Sequence, residues 1–282
     1  MNELTTVSKS EQNELAAAMG MGGTTNASSG DRLAELKINY MEENDQGQDL
    51  PRGQFYIKGS EDEPVYAKSV NFRPLSQLFQ WLHYDAEENK LVNKTLMIPM
   101  LFQESRDMKG TVRCGKPASK VLKEMTKEEQ SRYKDIKCFR QVRGLVSYEG
   151  KNASGDKVTI ENQPVVLMLK GSNFNPFEDE FLKKLPRGRQ MHEYNVKIGT
   201  TKTRGDAGNV WWVMKYEADI TNTLGMDDQV FETVKVMHDM VKRENETIQS
   251  AHDKALRNDQ LSDDAIGAII NTSLDDDLVD NA

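Results

Sequence analysis

The sequence predicts a mainly β protein with helical insertions and a long C-terminal helix. Two patterns carry this. Residues 139–219 hold four runs in which apolar and polar side chains alternate, the period of a half-buried strand. Residues 227–255 place Val230, Val234, Met237, Val241 and Ile248 on one stripe at helical spacing. A third observation sets the frame: the mean hydropathy of −0.70 and 29% charged residues imply that part of the 282-residue chain lies outside any core.

In chain order, residues 1–32 read as a flexible N-terminal arm, because GMGGTTNASSGD is rich in Gly, Ser, Thr and Asn. A β domain over 33–220 follows. Leu36, Ile38 and Tyr40 alternate as a strand. Gln54–Lys58 and Val65–Phe72 read as two strands joined by an acidic turn. Pro74 is expected to interrupt. Ser76–Tyr84 and Leu91–Pro99 then read as a hairpin, although Leu75, Leu78, Phe79 and Leu82 also fit one helical turn. A helical insertion near 119–136 contains two short helices, Ser119–Met125 and Lys127–Ile136, with Thr126 as N-cap and Glu129 completing a capping box. Strands follow at Phe139–Tyr148 and Val158–Lys170, then a short helix at Pro176–Leu185, then strands at His192–Thr203 and Asn209–Asp219. The C-terminal helix occupies 221–258, with Asp227 and Asp228 at its positive end. An acidic tail, 259–282, closes the chain.

The N-terminus lacks the basic and apolar regions of a signal peptide, and no apolar run reaches the ~18 residues of a membrane span. Cys114 and Cys138, without an export signal, suggest a reducing, cytoplasmic compartment. Four scattered histidines and two cysteines match no common zinc spacing, so no metal and no cofactor are expected. Phosphate-loop, dinucleotide and nucleophile-elbow motifs are missing, and no acid/base pair stands at fixed spacing. The chain reads as a non-enzyme; catalytic residues dispersed in sequence are the counter-reading.

Charge is distributed unevenly. The net charge is −8, yet residues 55–220 carry 28 Lys and Arg against 22 Asp and Glu. Residues 221–282 carry 5 against 14. A basic middle with aromatics on its strands suits single-stranded nucleic acid, which needs cations for phosphates and flat rings for bases. The candidate contacts are Arg140, Arg143, Tyr148, Lys170, Arg187, Arg189, Lys197, Lys202, Arg204, Trp211, Lys215, Phe79 and Trp81. The bland reading is that most of these rings are core and most of these cations a solvated face. Trp211 and Trp212 are adjacent on a strand, so one must face inward and the other outward. In the tail, Asp275, Asp276, Asp277 and Asp280 form a polyanion that suits basic partner proteins or competition with nucleic acid; the alternative is a solubilising segment.

The strands RQVRGLVSYEG, QPVVLMLKGSNFNPFEDEFLKKL and NVKIGTTKTRGDAGNVWWVMKYEAD, with the tail LDDDLVD, resemble the bacteriophage single-stranded DNA-binding proteins. The resemblance implies an OB-like barrel followed by an acidic tail. It also implies non-sequence-specific coating of single-stranded DNA in replication or recombination inside the bacterial host, and contacts through the tail to replication or recombination proteins. Two departures stand out: the chain ends in Asn281 and Ala282 rather than an aromatic residue, and it has no zinc spacing. Self-association through the long helix is a further expectation. The alternative function is a phage structural or assembly protein without nucleic-acid affinity.

Overall fold

In the computed structural model the described residues are 33–257, apart from 45, 46, 48, 59–62, 88–89 and 206–207. The arm and the acidic tail therefore lie outside them. The strands are β1 (Ala34–Ile38), β2 (Phe55–Lys58), β3 (Ser69–Asp85), β4 (Lys90–Lys94), β5 (Ile136–Lys151), β6 (Lys157–Leu169), β7 (Val196–Arg204) and β8 (Val210–Ala218). They form one mostly antiparallel sheet in the order β2-β1-β6-β5-β3-β7-β8, with β4 hydrogen-bonded to β3. Only β1 and β6 pair in parallel. The sheet curls into a half-barrel. Helices α1 (Ser119–Glu124) and α2 (Lys127–Ser131) form the insertion, and α3 (Asp228–Leu256) follows the last strand.

The concave face holds the main core. Leu36, Phe55, Phe72, Val142, Leu167, Tyr194, Val196, Ile198, Trp212 and Tyr216 pack there. Their strand positions alternate as the pleat requires, so Val196 and Ile198 point in while Lys197 points out. Each fully buried Phe or Leu contributes about 1.5–3 kcal/mol of transfer free energy.

Several expectations change in detail. Pro74 does not end a strand: β3 runs through it, and the pairing with β5 shifts register between Pro74 and Ser76. A residue without an N–H is tolerated at such a bulge. Gly144 pairs with Pro74, and any side chain there would overlap the Arg73 carbonyl and the Phe72 ring. The hairpin from residue 76 forms as strands, so the helical alternative is not realised. The strand read at Val65–Phe72 begins at Ser69; Tyr66 and Ala67 make single bridges to Lys151 and Phe55. Thr126 and Glu129 do form the capping box, but α2 stops at Ser131 and Ile136 opens β5. The segment after β6 is not one α-helix. It is a π turn at Phe177–Phe181 and a 3-10 turn at Leu182–Lys184, seated by the buried rings of Phe177 and Phe181. His192 lies in a 3-10 turn before β7.

Helix α3 lies on the outer face of β3 and β5. Asp227 caps it by accepting from the Val230 amide at 2.8 Å. Val230 and Met237 meet Leu75 and Leu145. Ile248 and Ala251 meet Leu82, Met108 and Phe139. The apolar stripe of α3 is thus used within the chain. Among the described residues no helix is long and apolar enough to cross a membrane.

Candidate nucleic-acid interface

The residues singled out in the sequence fall into four places. Tyr148 belongs to the core, where its hydroxyl donates to the Val65 carbonyl at 3.1 Å and burial raises its pKa to about 12. Phe79 and Arg140 are also interior. The guanidinium of Arg140 lies 5.2 Å from the Phe79 ring, 5.0 Å from Phe174 and 5.8 Å from Phe177. It donates to Gln77 Oε1 at 2.7 Å and to Glu178 Oε2 at 2.9 Å. A cation enclosed by three rings and a carboxylate is a structural clamp between β3, β5 and the 177–181 turn. Neither Phe79 (5% exposed) nor Arg140 (4%) faces solvent. Trp81 stands two residues along the same face, half-buried, with the Lys116 ammonium 5.9 Å from its ring.

Arg143 points the other way, under α3. It donates to Gln141 Oε1 at 2.8 Å, and Gln141 donates to Gln80 Oε1 at 2.6 Å. Gln80 donates to the Thr95 carbonyl at 2.7 Å. Glu244 of α3 closes this network through Lys94 at 3.2 Å. Burial lowers the Arg143 pKa to about 10, and Glu244 opposes that shift. These polar side chains on a buried strand join helix to sheet, and they are shielded from any ligand on the surface.

The hairpin of β7 and β8 brings the remaining strand residues together at the surface. Lys197 opposes Glu217, Gly199 opposes Lys215, Thr201 opposes Val213 and Thr203 opposes Trp211. These eight share the outer face. Trp211 is half-buried, its ring against Gly205, while Trp212 takes the inner position. Lys202 and Arg204 belong by register to the inner face, yet both are exposed, as β7 leaves the core. Lys215 pairs with Glu180 at 2.9 Å. Glu180 and Asn173 also accept the Tyr216 and Met214 amides on the free edge of β8, which blocks further strand addition there. Arg187 and Arg189 sit exposed on the loop before β7, with Arg189 3.1 Å from Glu193.

Lys170 lies apart from that hairpin, at the end of β6. Its ammonium is 5.6 Å from the Phe139 ring. Burial, then Lys137 and Lys37, lower its pKa to about 8, while Glu35 acts in the opposite sense. Lys37 and Lys137 carried no signal of their own in the sequence; strand pairing gathers them. Asp275, Asp276, Asp277 and Asp280 lie outside the described residues.

Among the described residues no group of three or more His, Cys, Asp or Glu is placed to hold a metal ion. Cys114 and Cys138 are free thiols. Asp107 is structural: its carboxylate accepts from the amides of Lys109, Thr111 and Cys114 and from the Thr111 hydroxyl. That holds the loop in which Arg113 and Cys114 adopt positive φ. No family model, curated protein or solved structure matches the chain.

Proposed function

We propose that the chain is a non-catalytic single-stranded DNA-binding protein whose curled sheet is an OB-like barrel. The observation that supports this reading is the solvent-exposed β7–β8 hairpin, which carries Lys197 and Lys215 on its outer face with Trp211, and Lys202 and Arg204 on the opposite face where β7 leaves the core. Cations spaced along a strand pair suit a phosphate backbone, and threonines and a glycine between them leave room for it to approach. Trp211, and Trp81 beside Lys116, are the half-buried rings available for base stacking. The acidic tail is the segment for partner proteins of replication or recombination in a bacterial cytoplasm.

The test is fluorescence anisotropy with labelled oligo-dT over a range of salt. Affinity falls steeply with salt through counterion release. In the variant Lys197→Gln/Lys202→Gln/Arg204→Gln, the slope of log K against log salt becomes shallower by about 2, at roughly 0.7 per phosphate contact. A flat salt response in the unmodified protein, or full affinity in the variant, refutes the reading.

A further inference from the structure

We propose that the inner face of β3 and β5 beyond the core is a base-stacking site for single-stranded nucleic acid, with the Trp81 and Phe174 rings as its stacking surfaces and Lys116 as its cation. This rests on the single-stranded DNA reading above and sets these base contacts apart from the β7–β8 hairpin.

The placement follows from the pleat and the register. Phe79 packs against Phe174, their ring centroids 6.0 Å apart, and Trp81 two residues on takes the same face of β3. Across the ladder Phe79 pairs with Arg140 and Trp81 with Cys138, so these four share the inner face. Phe79 and Arg140 are buried, while Trp81, Cys138 and Phe174 are half-buried. Exposure therefore returns on either side of the Phe79–Arg140 pair. Lys116 Nζ stands 5.9 Å from the Trp81 ring. It donates to the Tyr133 and Ile136 carbonyls, so both ends of the helical insertion meet beside Trp81.

Three observations point to a nucleotide rather than to a closed cluster of rings. First, Trp81 Nε1 and Arg140 Nε are buried and have no hydrogen-bond partner among the described residues. They come from diagonal positions of the β3–β5 ladder, a spacing of about 7–8 Å. A buried donor without an acceptor is costly, and a base brings carbonyl oxygens and ring nitrogens that accept. Second, the Lys116 ammonium has three donors, and the two carbonyls take two of them. Burial and then Lys137 hold its pKa below the usual value, while Cys138 and Asp135 act in the opposite sense. A phosphate beside it favours its charged form. Third, the charges suit a polyanion. Residues 116–137 carry seven Lys and Arg against four Asp and Glu. The acids of the 177–181 turn beside Phe174 are each paired, Glu178 with Arg140, Asp179 with Lys183 and Glu180 with Lys215.

Stacking and charge leave different signatures. A ring neutralises no phosphate, so removing it lowers affinity and leaves the salt dependence as it was. Removing hairpin cations changes that dependence. Lys197 pairs with Asn71, ten residues before Trp81, so the two sites stand roughly 30 Å apart along β3 and can be tested separately.

The experiment uses the full chain and a series of oligo-dT carrying 5-iododeoxyuridine at successive positions, photocrosslinked and mapped by mass spectrometry. Crosslinks fall on Trp81 or Phe174; crosslinks confined to Trp211 overturn the proposal. Trp81→Ala and Phe174→Ala each bind labelled oligo-dT about 5- to 100-fold more weakly at an unchanged salt slope, the effect of one stacked base. Trp81→Phe keeps most of the affinity. On an abasic oligonucleotide of the same length, both alanine variants bind like the unmodified protein. Thermal unfolding confirms an intact fold, and the crosslinks decide where a variant does not fold. If oligo-dT binds the unmodified protein and both folded alanine variants equally well, this site is refuted and the hairpin reading stands. An equal loss on the abasic strand makes the rings structural and also refutes the site. If unmodified protein binds no oligo-dT at low salt, the DNA reading itself falls.

Discussion

Asn245 tests how α3 is fixed to the sheet. Its side chain makes a reciprocal pair with one residue after β4. The Met97 amide donates to Asn245 Oδ1 at 2.8 Å, and Asn245 Nδ2 donates to the Met97 carbonyl at 2.9 Å. Met97 is buried, so both of its backbone groups depend on this partner. Asn245→Ala removes two hydrogen bonds worth about 1 kcal/mol each. It also leaves a buried donor and acceptor unmet, at about 1–3 kcal/mol per orphaned group where water does not reach. Asn245 is itself half-buried, and partial access of water offsets some of that penalty. The expected loss is about 2–4 kcal/mol. Asn245→Asp keeps the acceptor and loses the donor, so it falls between the two. Urea unfolding followed by the three tryptophans measures this, with the midpoint shifted and the slope unchanged. A loss below about 0.5 kcal/mol for Asn245→Ala, the ordinary range of a surface substitution, refutes the docking of α3 through Met97.

Other outcomes follow from the same geometry. Glu178→Ala removes the carboxylate partner of the enclosed Arg140; Glu178 is itself partly exposed, so the expected cost is about 2 kcal/mol, and no change in the urea midpoint argues against the clamp. Gly53→Ala sets a side chain into the Trp212 indole at a position of φ +76°, and thermal unfolding should show a loss of at least about 2 kcal/mol; a neutral result means Trp212 does not pack there. Burial raises the Cys138 thiol to about 12 and pushes the Cys114 thiol up further. Both should alkylate far more slowly at pH 8 in native protein than in urea, since the thiolate is the reactive form; equal rates by mass spectrometry contradict their burial.

The strand pattern was legible where one face meets the core and the other meets water. Val196–Ile198 and Val210–Tyr216 fall into that class; that Trp211 and Trp212 face opposite ways could be read directly, while which of them is buried came only from the structure. It failed on β3 and β5, which are covered on both faces. There Gln80, Arg140, Gln141 and Arg143 look like solvated residues, and only a partner distant in sequence makes them interior. Glu178 lies 38 residues from Arg140, and Glu244 lies 150 from Lys94 and 164 from Gln80. No local period can report such a pairing. The charge argument needs the same correction. Arg140, Arg143 and Lys94 count toward the basic middle of the chain, yet all three are buried. Two of them are served by Glu244, from the acidic C-terminal part. Part of the basic excess therefore holds α3 in place and is unavailable to phosphate. What remains for a nucleic acid is the charge at the surface: Lys197, Lys202, Arg204 and Lys215 on the hairpin, with Arg187 and Arg189 on the loop before it. The case for DNA rests on that hairpin, and substituting its cations while leaving the buried Arg140, Arg143 and Lys94 in place separates surface charge from the charge that holds the fold.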